Sequence, residues 1–227
     1  GLNHLSWIRS VKIKDEEILP RLLADDAFLK SIQEFSMFDP DLLRMIGFLP
    51  NEYLYYYYHR EKALANILKS GATRGQTIEQ VNKQMMEELK AMDMDEGALQ
   101  IFLYYMQVRE NSYMSIESGL AKRPLLEKGQ LEVPDGMGYA GVMLDCIEGL
   151  QSKDGRDLVL SVENQGSIPG LEDRDVVEVT CHVDETGIHP VRVEEVPEHC
   201  YLLMRLIKMY EKETVEAVQE QAEEKAV

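Results

Sequence analysis

The sequence predicts an α+β protein built around a mostly antiparallel sheet, and three observations predict it. The opening 13 residues alternate, with Leu5, Trp7, Ile8, Val11 and Ile13 set among polar neighbours, which is the two-residue period of a strand. The middle of the chain, from about 18 to 150, carries helical periodicity. The period then returns to two over 158–193, before one long closing helix. Strands, helices, strands and a helix, in separate runs, describe segregated layers rather than a βαβ alternation.

Lys14, Asp15, Glu16 and Glu17 form a turn after the first strand region. Short helices are expected over 18–23 and 28–35. Asp39 before Pro40 is a helix start, because the carboxylate caps free N–H groups and proline suits the first turn. A helix is expected over 53–69, stopped by Gly71. Thr73 caps a long amphipathic helix over 74–92, with Ile78, Val81, Met85, Met86 and Leu89 as its apolar stripe. A further helix runs through 99–108. Pro124, Gly129, Pro134 and Gly136 mark an irregular excursion over 120–136. Residues 138–150 read as helix with Val142, Met143, Leu144 and Ile147 inside. The β-branched runs 158–162, 176–183 and 191–193 read as strands. The last helix, over 198–221, places Leu202, Leu203, Leu206, Ile207 and Tyr210 on one face, and the charged tail frays.

The chain has 227 residues, a net charge of −17 and 44% hydrophobic content. Such a composition buries a core. The charge repels nucleic acid and anionic lipid, so neither is an expected partner, and any phosphate site must be a local basic pocket. Three cysteines, Cys146, Cys181 and Cys200, without regular spacing argue against a disulfide framework and fit a reducing compartment such as the cytoplasm. No CxxC or paired-histidine motif suggests a complete metal site. The first residues show no signal peptide, and no apolar run approaches the ~20 residues that span a bilayer. A soluble protein or fragment is expected. No GxGxxG precedes a helix, so no dinucleotide-binding half is expected within this chain.

Three places hold residues of chemical interest. Asn3-His4 opens the first strand, although a lone histidine is most often structural. Tyr53, Tyr55, Tyr56, Tyr57 and Tyr58 fill five of six positions. A helix turns ~100° per residue, so they cannot all face one core, and some are exposed or line a cavity. Aromatic packing or an interface is the alternative use. Asn164-Gln165-Gly166-Ser167-Ile168-Pro169 lies between strands, where a plain turn is the alternative.

In order along the chain, Gly1-Leu2-Asn3-His4-Leu5-Ser6-Trp7, Pro50-Asn51-Glu52-Tyr53-Leu54-Tyr55-Tyr56, Thr73-Arg74, Asn164 to Pro169, Val176-Val177-Glu178-Val179-Thr180-Cys181 and the 208–217 helix resemble family 4 glycoside hydrolases, in wording closest to the 6-phospho-β-glucosidases. The resemblance covers nearly the whole chain. It departs at Gln165, where a second Asn is usual, and at Thr180, where Pro commonly precedes the cysteine. It implies a C-terminal substrate-binding and catalytic domain over 1–227, like that of lactate dehydrogenase, whose N-terminal nucleotide-binding partner domain is absent from this chain.

The resemblance also implies roles. His4 matches the metal-ligating histidine, and a neutral imidazole suits Mn²⁺ or a similar divalent ion. Asn3 matches a residue beside the sugar. Tyr53 matches the catalytic base, and Arg74 an arginine that lowers the phenol's pKa or holds an anionic substrate group. The implied enzyme is an NAD- and metal-dependent 6-phospho-glycosidase of carbohydrate metabolism. In that chemistry a sugar hydroxyl is oxidised, the tyrosine removes the acidified neighbouring proton, the aglycone is eliminated, water adds and the hydride returns. This route does without the usual pair of carboxylates. A phenol with an ordinary pKa of ~10 is a poor base at neutral pH, so a nearby cation makes chemical sense. The fragment alone is expected to be inactive, and the tyrosine run and Met-rich helix suggest a homo-oligomer. The alternative is a non-catalytic or dehydrogenase-like relative, serving as a binding or oligomerisation module.

Overall fold

The computed structural model describes residues 4–92, 96–120, 124–132 and 138–222. The chain divides into two compact units. One is Trp7–Asp135, and the other joins Gly1–Ser6 to Gly136–Val227.

In the Trp7–Asp135 unit, β1 (Trp7–Ile8) pairs antiparallel with β4 (Leu49–Pro50), and β2 (Lys12–Ile13) forms a hairpin with β3 (Glu16–Glu17). The single strand expected at the start is therefore two short pieces. The cause is Glu17, whose carboxylate accepts from Ser10 Oγ and from the N–H groups of Val11 and Leu19, folding the segment back. Those donors hold its carboxyl down to about 2.

Helices follow: α1 (Leu19–Ala24), α2 (Asp26–Ser31), α3 (Gln33–Ser36) and α4 (Pro40–Ile46). The helix expected over 28–35 is split by Ile32, which is extended (φ −99, ψ 119). Asp39 caps α4 as expected, and Gly47 stops it in the left-handed conformation at φ 77. After a 3-10 turn at Glu52–Leu54 come α5 (Tyr55–Tyr58), α6 (Arg60–Ser70), α7 (Arg74–Lys90), α8 (Glu96–Asn111) and α9 (Ser115–Ser118). Thr73 and Gln76 form a reciprocal capping box at the start of α7.

The continuous helix expected over 53–69 is broken at His59 (φ −123, ψ 35). Packing decides this. The His59 ring lies 5.0 Å from that of Tyr55 and 5.8 Å from that of Phe38, inside a core that includes Leu29, Leu43, Leu49 and Tyr55. A straight helix would not place both rings there. Burial also lowers the His59 pKa.

The second unit contains α10 (Tyr139–Gly149), β5 (Arg156–Glu163), β6 (Val176–Asp184), β7 (Gly187–Pro190) and α11 (Glu198–Glu220). The three strands form an antiparallel sheet in chain order, with Cys181 opposite both Leu158 and Pro190. Along β6, Val177, Val179, Cys181 and Val183 are buried in alternation, as a half-buried strand requires. The strand expected at 191–193 ends instead at Pro190. The Val191 N–H still donates across to the Thr180 carbonyl at 2.8 Å, but the Val193 N–H donates to the Ser167 carbonyl at 2.8 Å, drawing the chain off the sheet edge.

Two helical faces also differ from expectation. On α11, Leu203, Met204 and Ile207 meet the core, whereas Leu202, Leu206 and Tyr210 are exposed. On α10, Cys146 packs inward, whereas Val142, Met143, Leu144 and Ile147 are exposed. Apolar residues ring more of each helix than one contact surface needs, so composition alone did not fix the face. Among the described residues, no helix is long and apolar enough to cross a membrane. The three cysteines are free thiols.

Candidate active site

The tyrosine run divides by environment. Tyr55 is wholly buried in the core, and Tyr58 accepts a hydrogen bond from Trp7 Nε1 at 3.1 Å. Tyr53 and Tyr56 remain 37% and 39% exposed. Tyr53 is held at the 3-10 turn because Asn51 Oδ1 accepts from its N–H at 2.9 Å. The turn thus sets Tyr53 apart from the buried side of α5.

The Tyr53 ring meets the Tyr113 ring edge-on at 5.8 Å. The two hydroxyls share a hydrogen bond, and Tyr113 also donates to Glu52 Oε1 at 3.3 Å. Burial, the bond to Tyr53 and the Glu52 charge push the Tyr113 hydroxyl far above its ordinary pKa. Tyr113 therefore keeps its proton and can donate it to a neighbouring oxygen.

Arg74, the first residue of α7, is half-buried. Its guanidinium lies 5.4 Å from the Tyr113 ring centre and donates to Ser112 Oγ at 2.9 Å. A second bond runs to the Arg109 carbonyl at 3.5 Å. Tyr53 and Arg74, two of the residues expected to act, are thus joined through one aromatic ring.

The fourth corner is Tyr56. Its hydroxyl donates to Glu117 Oε1 at 3.0 Å. Glu117 is only 6% exposed, and its Oε2 meets no hydrogen-bond partner among the described residues. Asn66 Nδ2 donates to the Glu117 carbonyl at 2.9 Å, tying α9 to α6. Burial first, then the bond to Glu117 and its charge, raise the Tyr56 pKa, while Arg74 opposes that rise. One patch therefore carries a cation, three phenols and two carboxylates.

Sequence reasoning did not find Glu52, Tyr56's partner Glu117, or Tyr113. Nothing local marks Glu117 among the many acids of this chain. Its burial follows from the packing of α9 on α6, which no local pattern announces.

The other expected residues belong to, or precede, the second unit. His4 is exposed and has a left-handed backbone at φ 63, a conformation uncommon outside glycine though histidine is enriched in it. Asn3 lies outside the described residues. In the Asn164–Pro169 loop, Asn164 is fully buried and spends its whole side chain on the turn. Its Nδ2 donates to the carbonyls of Ile168 (3.1 Å) and Leu171 (3.2 Å), and its Oδ1 accepts from Ser167 Oγ (3.0 Å) and Ile168 N (2.7 Å).

The model of the family 4 glycosyl hydrolase C-terminal domain matches residues 1–227. The chain belongs to that family. A 6-phospho-β-glucosidase of Thermotoga maritima is 24% identical to this family 4 domain over 220 residues, covering 96% of it and 44% of the relative. A maltose-6′-phosphate glucosidase of Bacillus subtilis is 24% identical over 246 residues, covering 99% of this chain and 46% of the relative. The solved Thermotoga maritima 6-phospho-β-glucosidase with NAD and glucose-6-phosphate matches the fold with a TM-score of 0.67 at 22% identity, over 99% of this chain and 45% of that one. A 6-phospho-α-glucosidase from gut microorganisms, solved with NAD and glucose-6-phosphate, gives a TM-score of 0.62 at 22% identity, over 99% of this chain and 47% of that one. The family 4 domain thus spans under half the length of these relatives.

Proposed function

We propose that this chain is the substrate-binding and catalytic domain of a 6-phospho-glycosidase acting by NAD- and metal-dependent oxidation, elimination, addition and reduction, on a lactate dehydrogenase C-terminal-domain-like scaffold. The observation that carries the reading is the exposed Tyr53, set on a turn and linked through the Tyr113 ring to the Arg74 cation. Relatives solved with glucose-6-phosphate, NAD and manganese support the substrate class and the cofactors.

The described residues do not hold those cofactors by themselves. The sheet is antiparallel, without the strand-to-helix turn that cradles a dinucleotide. No group of three or more His, Cys, Asp or Glu is placed to hold a metal. The exposed imidazole of His4 would contribute one nitrogen ligand, and the remaining ligands lie elsewhere. When bound, the cofactor and ion supply hydride exchange and charge stabilisation at the sugar. This chain's own residues do the rest. Tyr53 takes the proton from carbon, Tyr113, whose own proton goes to Glu52, steadies the Tyr53 ring edge-on, and Arg74 places positive charge beside the phenols or against an anionic group of the substrate. Asn3 contacts the sugar. The proposed protein works in the cytoplasm as a homo-oligomer.

The test is cleavage of chromogenic 6-phospho-glucosides by the full-length protein with NAD and Mn²⁺. Turnover that needs both additions supports the reading. Absence of turnover and of glucose-6-phosphate binding overturns it in favour of a non-catalytic binding module. The 227-residue chain alone is expected to give no turnover.

A further inference from the structure

We infer that Tyr56, oriented by the buried Glu117, is a specificity residue that accepts a hydrogen bond from one hydroxyl of the substrate sugar. The inference rests on the proposed function above and adds to it a residue and a polarity.

The argument begins with proton bookkeeping. A phenol has one O–H donor and an oxygen with lone pairs. The Tyr56 proton is committed to Glu117 Oε1 at 3.0 Å. Burial and the carboxylate both favour the protonated phenol, so that proton stays in place at any ordinary pH. What Tyr56 offers outward is therefore a lone pair only. Tyr56 is 39% exposed, so the residue belongs to a surface that a ligand reaches. A group arriving there must bring a donor. A sugar hydroxyl qualifies, whereas an ether oxygen, a fluorine or a phosphate oxygen does not.

Glu117 explains why the polarity is fixed. A tyrosine hydroxyl in water rotates and serves as donor or acceptor. A carboxylate accepts only. Glu117 is 6% exposed, and the Asn66 bond to its backbone carbonyl fixes the main chain that carries it. Its second oxygen has no partner among the described residues. Leaving a buried carboxylate oxygen unmatched is costly. An alternative use, aromatic packing alone, accounts for the Tyr56 ring but not for an acid buried beneath its hydroxyl.

The neighbourhood supports the placement. Tyr53 lies three residues away and shifts the Tyr56 hydroxyl electrostatically, as does Arg74, so Tyr56 shares the patch that carries the proposed base. Tyr56 touches the substrate, and Glu117 is a positioning residue acting through it.

The test measures competitive inhibition constants of the full-length protein for glucose 6-phosphate and for its mono-deoxy and mono-fluoro analogues. Inhibition constants are used because altered hydroxyls also change the chemistry of turnover. In the wild type, one ring position should show about a fivefold to tenfold loss for the deoxy and the fluoro analogue alike, the weight of one hydrogen bond, because neither analogue brings a donor. Tyr56→Phe should abolish that loss at this position and leave the other positions unchanged. Glu117→Gln keeps the shape but can donate as well as accept, so the discrimination should shrink without disappearing. Thermal midpoints accompany each variant, and a change in stability alone would not alter one ring position selectively. Unchanged discrimination at every position in Tyr56→Phe overturns the inference while leaving the proposed function standing. Failure of the wild type to bind glucose 6-phosphate overturns both.

Discussion

Two buried polar residues, one in each unit, are treated in opposite ways. Asn164 is fully buried and makes four hydrogen bonds, each side-chain atom matched to a turn atom. Glu117 is nearly as buried, yet it spends one oxygen on the partly exposed Tyr56, and the other has no partner among the described residues. Saturation is the mark of a residue that holds the chain in shape. An unmatched atom alone does not mark a site, since the core hydroxyl of Tyr55 also lacks a partner among the described residues; what sets Glu117 apart is its bond to the partly exposed Tyr56. The Asn164 loop and the Tyr53 turn both stood out in the sequence, and this contrast separates a scaffold from a site.

The largest effect should come from Tyr53. In the full-length protein, Tyr53→Phe should lower kcat by ~10²–10⁴-fold, the usual weight of a general base, with little change in thermal midpoint. Tyr57→Phe is the internal control, since that ring is exposed and stacks edge-on only against Tyr58. Near-normal kcat in Tyr53→Phe, or a loss matched by equal unfolding, would remove the catalytic assignment.

Asn164→Ala should show the reverse pattern. Removing the side chain strands the Ile168 N–H and the Ile168 and Leu171 carbonyls, at a cost of about 2–3 kcal/mol in chemical denaturation. The folded fraction should keep its kcat. Loss of activity at full folding would mean that the loop does more than hold its own shape.

Glu117→Gln should change stability by no more than ~1 kcal/mol, because shape is kept and a buried charge is removed. A large loss would place Glu117 with Asn164, among the residues that hold the fold.

The smallest effect is a pH dependence. Tyr56 and Tyr113 have pKa values raised in the folded state, mainly by burial. Their contribution is fully present below the unfolded value of ~10 and is lost as pH rises toward the folded values. Thermal midpoints of the chain should therefore decline above pH 10. Tyr113→Phe should flatten part of that decline, and an unchanged slope would show that these phenols are not held protonated by the fold.

The sequence made much of this legible. The Thr73 cap, the Asp39 cap, the stop at Gly71 and the strand over 176–183 depend on neighbours within a few residues, and they stand as read. What was not legible depends on distant partners. The break at His59 is imposed by Phe38, and the burial of Glu117 by α6. The outward faces of α10 and α11 could not be read, because both helices carry apolar residues around most of their circumference. Tyr53 and Arg74 were singled out in the sequence, whereas Tyr113, the ring that both of them meet, was not.

Gly149, the last residue of α10, brings that helix against the backbone of β6. A methyl group there would come within 2.9 Å of the Val183 carbonyl oxygen. The contact fixes the roll of the helix about its own axis, so α10 presents the same stripe to the sheet whatever its outer residues are. Genetic drift should register this as a helical rhythm of constraint. Gly149 and the inward Cys146 tolerate little change, whereas Val142, Met143 and Ile147 exchange among side chains of many sizes without disturbing the strand beneath them.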